Sequence, residues 1–283
     1  MKINNNNIYV YMANNQVVIS LTSIKDRYNK LLLQRTLDRL IDLNYDNYVI
    51  VLNISKEPKF LDKGFTDADI KCLHELYPKI IINIVENYGP LRKIIPTLKQ
   101  FTNNIIISVD DDCIYDKNII STFVKIYNSR KCIVASSCRR DCMNDNKIIT
   151  DFSYAKNGEF KLELLPEGVG GILYHSSMFD SKFINFKFNK LEKEFLKNDD
   201  LLLKAYTYIK KIPVYCCKTI SFKDNRPSVG LYCNYNKKYI INFQEYINKI
   251  KYILQEKCKS RKVRKSCKAC KARKSRRRRR ARL

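Results

Sequence analysis

Residues 105–112, Ile-Ile-Ile-Ser-Val-Asp-Asp-Asp, set a strongly apolar strand directly against three carboxylates. Neighbouring carboxylates repel by about 1 kcal/mol at ~4 Å in water and by about 4 kcal/mol at an effective dielectric near 20, so such a cluster at a strand end calls for a compensating cation. A hard divalent ion, Mg2+ or Mn2+, takes oxygen ligands and shares them with substrate phosphates, which leaves one or two carboxylates for the protein to supply. Asp110 and Asp112, two residues apart, are the candidate metal ligands. The competing reading makes the aspartates a solvated turn or a cap for the helix expected from about Lys117. Asp116 stands closer to that helix and is the better N-cap, which leaves the other three unexplained by capping.

The elements that would position these carboxylates follow from hydrophobic periodicity. Val17 to Leu21, Tyr48 to Ile54 and Ile80 to Val85 read as short buried strands, and the Ile105 run is the fourth. Between them, Lys25 to Leu43 carries Leu31, Leu32, Leu37, Leu40 and Ile41 at helical spacing, Asp67 to Tyr77 forms a second helix, and a third follows Gly89-Pro90. Apolar strands alternating with helices predict a mostly parallel sheet covered on both faces, whose ligands sit at the carboxyl ends of the strands. Thr22-Ser23 with Arg27, then Asn53, then Asn87-Tyr88-Gly89-Pro90, then the three aspartates fall at those ends.

The second half is looser. Lys147 to Tyr154 and Phe160 to Leu165 are expected antiparallel strands, Asp199-Asp200 open a helix to about Lys211, and Tyr239 to Glu256 is the last ordered helix. Pro166-Glu167-Gly168-Val169-Gly170-Gly171 holds three of only seven glycines, which serves either close approach of backbone to a ligand or a tight turn.

The net charge of +26 suggests nucleic acid until it is divided by position. Residues 257–283 carry 16 Lys and Arg and no acid, which leaves 38 bases against 28 acids in residues 1–256. The expected organisation is therefore one domain over 1–256 and a disordered basic tail over 257–283, able to meet nucleic acid, anionic lipid or an acidic partner, or to stay solvated. No run of about 18 apolar residues occurs, and the Asn-rich opening lacks the apolar core of a signal peptide, so no transmembrane segment and a cytoplasmic location are expected. The eleven cysteines are expected as reduced thiols. Cys267 and Cys270 form a C-x-x-C without a second pair or a histidine to complete a zinc site. The weighting toward Asn, Lys, Ile and Tyr is associated with an AT-rich genome, such as that of a large virus or a parasite; in the viral case host cytoplasm or virion is the expected place.

With these pieces in this order, residues 16–216 resemble glycosyltransferases of the GT-A fold, family-2-like enzymes and the related capsular-type and collagen-type sugar transferases. The resemblance rests on Val17-Val18-Ile19-Ser20-Leu21-Thr22-Ser23-Ile24, Asn87-Tyr88-Gly89-Pro90 with Lys93 and Pro96, Val109-Asp110-Asp111-Asp112, Glu167 to Tyr174, and Asn198-Asp199-Asp200. It implies an α/β GT-A domain with a mostly parallel central sheet plus a small antiparallel acceptor-side sheet, and a nucleotide-sugar donor, commonly a UDP-sugar, held with Mn2+ or Mg2+. By resemblance, Thr22, Arg27 and Asn53 line the nucleoside pocket, Tyr88 and Lys93 stand beside the base or diphosphate, and Asp110 and Asp111 belong to the donor site. Asp112 ligates the metal, with Asp110 at the ribose or metal, and Gly170 and Gly171 shape the sugar and acceptor pocket. Asp200, or Asp199, is the base that deprotonates an acceptor hydroxyl on a glycan or protein in an inverting displacement. A bare helix cap is the other reading of that pair. Lys93 or Arg92 would help neutralise the leaving diphosphate. His175 stands where many relatives carry proline, either as a metal or acceptor contact or as a packed or surface side chain, and His74 is incidental.

Two other functions compete. A nucleotidyltransferase of related fold would favour a glycine-rich phosphate loop near the first strand, which Thr22 to Arg27 does not provide. An inactive binding or structural protein would depend on its basic tail.

Overall fold

The computed structural model describes residues 16–140, 153–218, 222–224 and 243–255. Its strands are β1 (Val17–Thr22), β2 (Tyr48–Ile54), β3 (Ile81–Ile84), β4 (Ile105–Ser108), β5 (Cys113–Tyr115), β6 (Ile133–Ala135), β7 (Cys138–Arg139), β8 (Phe160–Lys161), β9 (Leu165–Pro166), β10 (Ile172–His175), β11 (Val214–Cys216) and β12 (Phe222–Asp224). Eight of them form one sheet in the order β3-β2-β1-β4-β10-β6-β11-β8, and β12-β5 and β7-β9 form two small antiparallel pairs. Within the large sheet β1, β2, β3 and β4 run parallel, as do β6 and β11, whereas β10 runs against both β4 and β6.

Successive side chains of a strand point to opposite faces, and here both faces are covered. Val18, Val51, Ile106 and Ile172 enter one apolar cluster; Ile19, Leu52, Ile107 and Leu173 enter the other. That is why these strands read as unbroken apolar runs rather than as an alternation. The helix over 243–255 adds Tyr246, Ile250 and Ile253 to the first cluster.

Several expected boundaries shift for identifiable reasons. The single helix expected over Lys25 to Leu43 is two, Lys25–Asn29 and Leu32–Leu40, separated by Leu31 in the left-handed region at φ 59°. The break lets the first turn carry Arg27 to the strand ends while Leu33, Leu37 and Leu40 of the second pack on the sheet. Asp116 does not cap the next helix, Ile119–Arg130. Its N-cap is Asn118, whose N–H donates to Asp116 Oδ1 at 2.8 Å. The helix Asp67–Leu76 starts on a reciprocal Thr66–Asp69 capping box. Of the two antiparallel strands expected in the second half, Phe160 to Leu165 splits into β8, which edges the main sheet against β11, and β9, which pairs with β7. Tyr154 keeps only an isolated bridge to Arg139, and 147–152 lie outside the described residues, as does the expected tail over 257–283. Among the described residues no helix is long and apolar enough to cross a membrane.

Candidate active site

Antiparallel β10 decides what meets the aspartates. Ile172 pairs with Ser108, so the glycine segment that precedes β10 arrives beside the carboxyl end of β4, where the chain turns through Asp110, Asp111 and Asp112 into β5. Tyr115 ties the two together: its hydroxyl accepts the Asp110 N–H at 2.8 Å and lies 3.3 Å from the carbonyl oxygens of Asp110 and Val169. Fully desolvated, the Tyr115 phenol is held well above its ordinary pKa and stays a neutral hydrogen-bonding post.

The three adjacent carboxylates then part company. Asp111 is buried, accepting from Ser23 Oγ and from Arg27 Nη1. Asp112, also buried, has its Oδ2 2.9 Å from Arg27 Nη2. Burial works against the Arg27 charge, but Asp111, Asp112 and Asp110 outweigh it and raise its pKa above the usual value. Asp110 turns the other way, to Lys93 Nζ at 3.1 Å.

Lys93, in the 3-10 turn Gly89–Lys93 that follows β3, is the meeting point of the site. Its ammonium lies 3.1 Å from Asp110, 2.8 Å from Asp199 and 3.8 Å from Asp200. Burial alone would lower its pKa, and the three carboxylates reverse that and hold it well above the ordinary lysine value. Asp199 and Asp200 are the first two residues of the helix Asp199–Ile209, capped by the Asn198 side chain, which accepts from Leu201 N–H at 3.0 Å. The capping role thus belongs to Asn198, and the aspartate side chains face Lys93 instead. Asp200 Oδ2 accepts from Gly168 N–H at 3.0 Å. Desolvation, with Asp199 and Asp110 nearby and against the pull of Lys93, pushes the Asp200 carboxyl up to about 8.

Gly168, within the glycine stretch expected to approach a ligand or to turn but given no role of its own there, is the glycine that meets this cluster. A Cβ there would stand 2.5 Å from Lys93 Nζ, 3.1 Å from Asp110 Oδ1 and 3.3 Å from Asp200 Oδ1, so a side chain at this position would have to displace the Lys93 ammonium from the cluster. Gly170 and Gly171, expected to shape the sugar pocket, face elsewhere. The Gly170 carbonyl accepts from Ser136 Oγ at 2.5 Å, and a Cβ on Gly171, at φ 84°, would meet Ile119, Tyr115 and Val109 of the core. The signal that singles out Gly168 is its register, two residues before Gly170 and directly after Glu167, and it becomes readable only once β10 is known to run against β4.

Other expected donor contacts sit deeper. Thr22, half-buried at the end of β1, donates to the Asn53 carbonyl at 2.6 Å. Asn53 is fully buried, its amide donating to Thr97 Oγ1 at 2.9 Å and accepting from Asn83 at 3.1 Å, so a nucleoside could reach it only by opening that network. Tyr88 is buried with its ring 6.0 Å from that of Phe188 in the apolar core. Arg92, offered as an alternative to Lys93 near the diphosphate, is instead internal. It donates to Asp62 Oδ2 at 2.8 Å, to the Gly89 carbonyl at 3.2 Å and to the Ser23 carbonyl at 3.3 Å, which joins the loops after β1, β2 and β3. Asp62 also accepts the Lys25 and Gly64 N–H groups. His175 stacks on Tyr127 at 5.5 Å and bonds Ser177, at the end of β10 away from the aspartates, which removes it from any metal or acceptor role at this site.

Among the described residues, five carboxylates thus gather around Arg27 and Lys93. A divalent ion fits this balance, and the part-exposed Asp110, at 28% side-chain exposure, is the expected ligand it could reach. Asp112 lies behind Arg27 at 1%, so its expected ligation requires that pair to open. Among the described residues no three His, Cys, Asp or Glu side chains are gathered to hold a metal alone.

The architecture matches solved structures. Staphylococcus aureus TarS 1–349 in complex with UDP-GlcNAc superposes with a TM-score of 0.50 at 13% identity, over 76% of this chain and 60% of that one. The fold is that of GT-A glycosyltransferases. The mannosyltransferase PcManGT from Pyrobaculum calidifontis, in complex with GDP-Man and Mn2+, matches with a TM-score of 0.49 at 12% identity, over 81% of this chain and 61% of that one. The chain therefore spans about three fifths of the length of these neighbours. No protein-family model and no curated protein matches it.

Proposed function

We propose that this chain is a glycosyltransferase that moves a sugar from a nucleotide-sugar donor, a UDP-sugar, to an acceptor hydroxyl with inversion. The observation that carries the reading is the convergence of two acidic segments far apart in sequence, the Asp110 turn and the Asp199-Asp200 helix start, on one buried ammonium at the carboxyl edge of a GT-A sheet. In this proposal Asp200 takes the proton of the acceptor hydroxyl. The freed oxygen attacks the anomeric carbon, and the bond to the nucleotide diphosphate breaks with its electron pair leaving on phosphate. A carboxyl poised at about 8 is matched to a base working near neutral pH. Asp199 holds Lys93 and through it the relative placement of Asp110 and Asp200.

The donor pocket is proposed between Thr22, Arg27 and the Asp110–Asp112 turn, with Gly168 as its floor. Mn2+ or Mg2+ would be held by Asp110 together with the donor phosphates, and when bound it would neutralise charge growing on the leaving diphosphate. A cluster already rich in carboxylates would otherwise repel that anion. The UDP-GlcNAc complex of TarS, which shares the fold, supports a uridine donor.

Thermal-shift titration of nucleotide sugars with and without Mn2+ tests the reading. Stabilisation by one donor, present only with metal, is the expected result. A flat response across UDP-, GDP- and other nucleotide sugars overturns it.

A further inference from the structure

Lys93 is placed unlike a diphosphate-binding lysine, which would reach into open solvent to meet its anion. Its side chain is 5% exposed, and its three short approaches are all to carboxylates, one on the β4 turn and two on the Asp199 helix. Gly168 closes over it so tightly that a methyl group there would fall 2.5 Å from the ammonium. An ammonium enclosed in this way is a compact point charge standing where carboxylates from two elements converge.

We propose that Lys93 is a built-in counter-cation that competes with the incoming divalent ion for Asp110. In the metal-free protein it offsets part of the cluster's negative charge and keeps donor-side and acceptor-side carboxylates together. A divalent ion taking Asp110 weakens one of its three attachments and leaves the ammonium to Asp199 and Asp200. Lys93 is on this account a positioning residue and sets a threshold for metal entry. The inference rests on the proposal that the ion enters at Asp110, but its test needs neither donor nor acceptor, so it can fail while sugar transfer stands, and the reverse.

The test is Mn2+ binding to the full chain without nucleotide sugar, measured as free Mn2+ by electron paramagnetic resonance, for wild type, Lys93→Met and Lys93→Arg. Removing the competing charge is expected to tighten Mn2+ binding by about tenfold, in the range of ordinary site-to-site couplings, while Lys93→Arg, which keeps the charge, stays near wild type. Adding Asp110→Asn to Lys93→Met should cancel the gain. Mn2+ should also raise the melting temperature of Lys93→Met more than that of wild type. If Lys93→Met does not melt cooperatively, Lys93→Gln removes the same charge with a polar head and is measured in its place. Unchanged or weaker Mn2+ binding in the charge-removing variant overturns the proposal, as does a gain that survives Asp110→Asn.

Discussion

Two cation-centred clusters share the same sheet edge and differ in kind. Around Arg27, Asp111 and Asp112 are closed in: a planar guanidinium faces two carboxylates, Ser23 adds a hydroxyl, and both acids are buried. Around Lys93, the acids come from two distant segments, and Asp110 and Asp200 remain 28% and 25% exposed. The first arrangement holds a loop; the second leaves Asp110 within reach of a substrate, while Asp200 Oδ1 stays buried beside the ammonium. Three consecutive aspartates with the same intrinsic chemistry are thus divided between architecture and chemistry by one turn of backbone.

The contrast is broken most severely at the open cluster. Asp200→Asn should lower kcat for sugar transfer by about 10^2- to 10^4-fold, the usual contribution of a positioned general base, while leaving donor binding by thermal shift within a few-fold of wild type. Loss of donor binding instead would move Asp200 from base to donor contact. Arg27→Ala addresses the closed cluster and should act on stability first. Two buried carboxylates would be left without their guanidinium, at a cost of about 3–5 kcal/mol in urea unfolding. A variant as stable as wild type would show the clamp to be dispensable.

Gly168→Ala sharpens the comparison by forcing the Lys93 cluster apart without changing its charges. A sizeable loss of activity with an intact cooperative melt is expected, whereas Gly170→Ala, away from the carboxylates, should leave donor selectivity unchanged. The pH dependence should separate the clusters further. The Asp200 carboxyl titrates at about 8 when folded, against an ordinary value of 3.8. Between those values the folded protein holds the extra proton, so this group's contribution to stability is full below about pH 4 and is lost as pH rises through 8. Melting temperature of the metal-free protein should accordingly fall across that range, and Asp200→Asn should flatten the fall. The smallest effect is expected from removing residues 257–283: none of the clustered side chains belongs to them, and transfer to a small acceptor should persist.

Much of the first half was legible in the chain. Strand β2 lies at Tyr48–Ile54 as its apolar run indicates, and β1 and β4 fall within a residue or two, because strands buried on both faces announce themselves without reference to partners; the edge strand β3, only part-buried, still falls within a residue on its run of isoleucines. The second half was less legible. Its strands are two to four residues long and owe their existence to neighbours rather than to their own pattern, as with β8 on β11. Asp62 and Arg92 show the same limit within the site. Each is an ordinary charged residue in sequence, and only the folding together of three loops makes them a buried pair. The break at Leu31 was hidden too, since leucine at positive φ contradicts its local preference.

What the sequence alone determined is the type of chemistry and its address: carboxylates at a strand end and at a helix start, in an order that places both at the carboxyl edge of a parallel sheet. Which carboxylate is open and which is clamped, which glycine forms the floor, and which cation is shared were decided only in three dimensions. The reason is physical. Backbone pattern depends on neighbours a few residues away, but the charge state and reach of a buried side chain depend on partners dozens of residues distant, such as Lys93 for Asp200, and no local spacing encodes them.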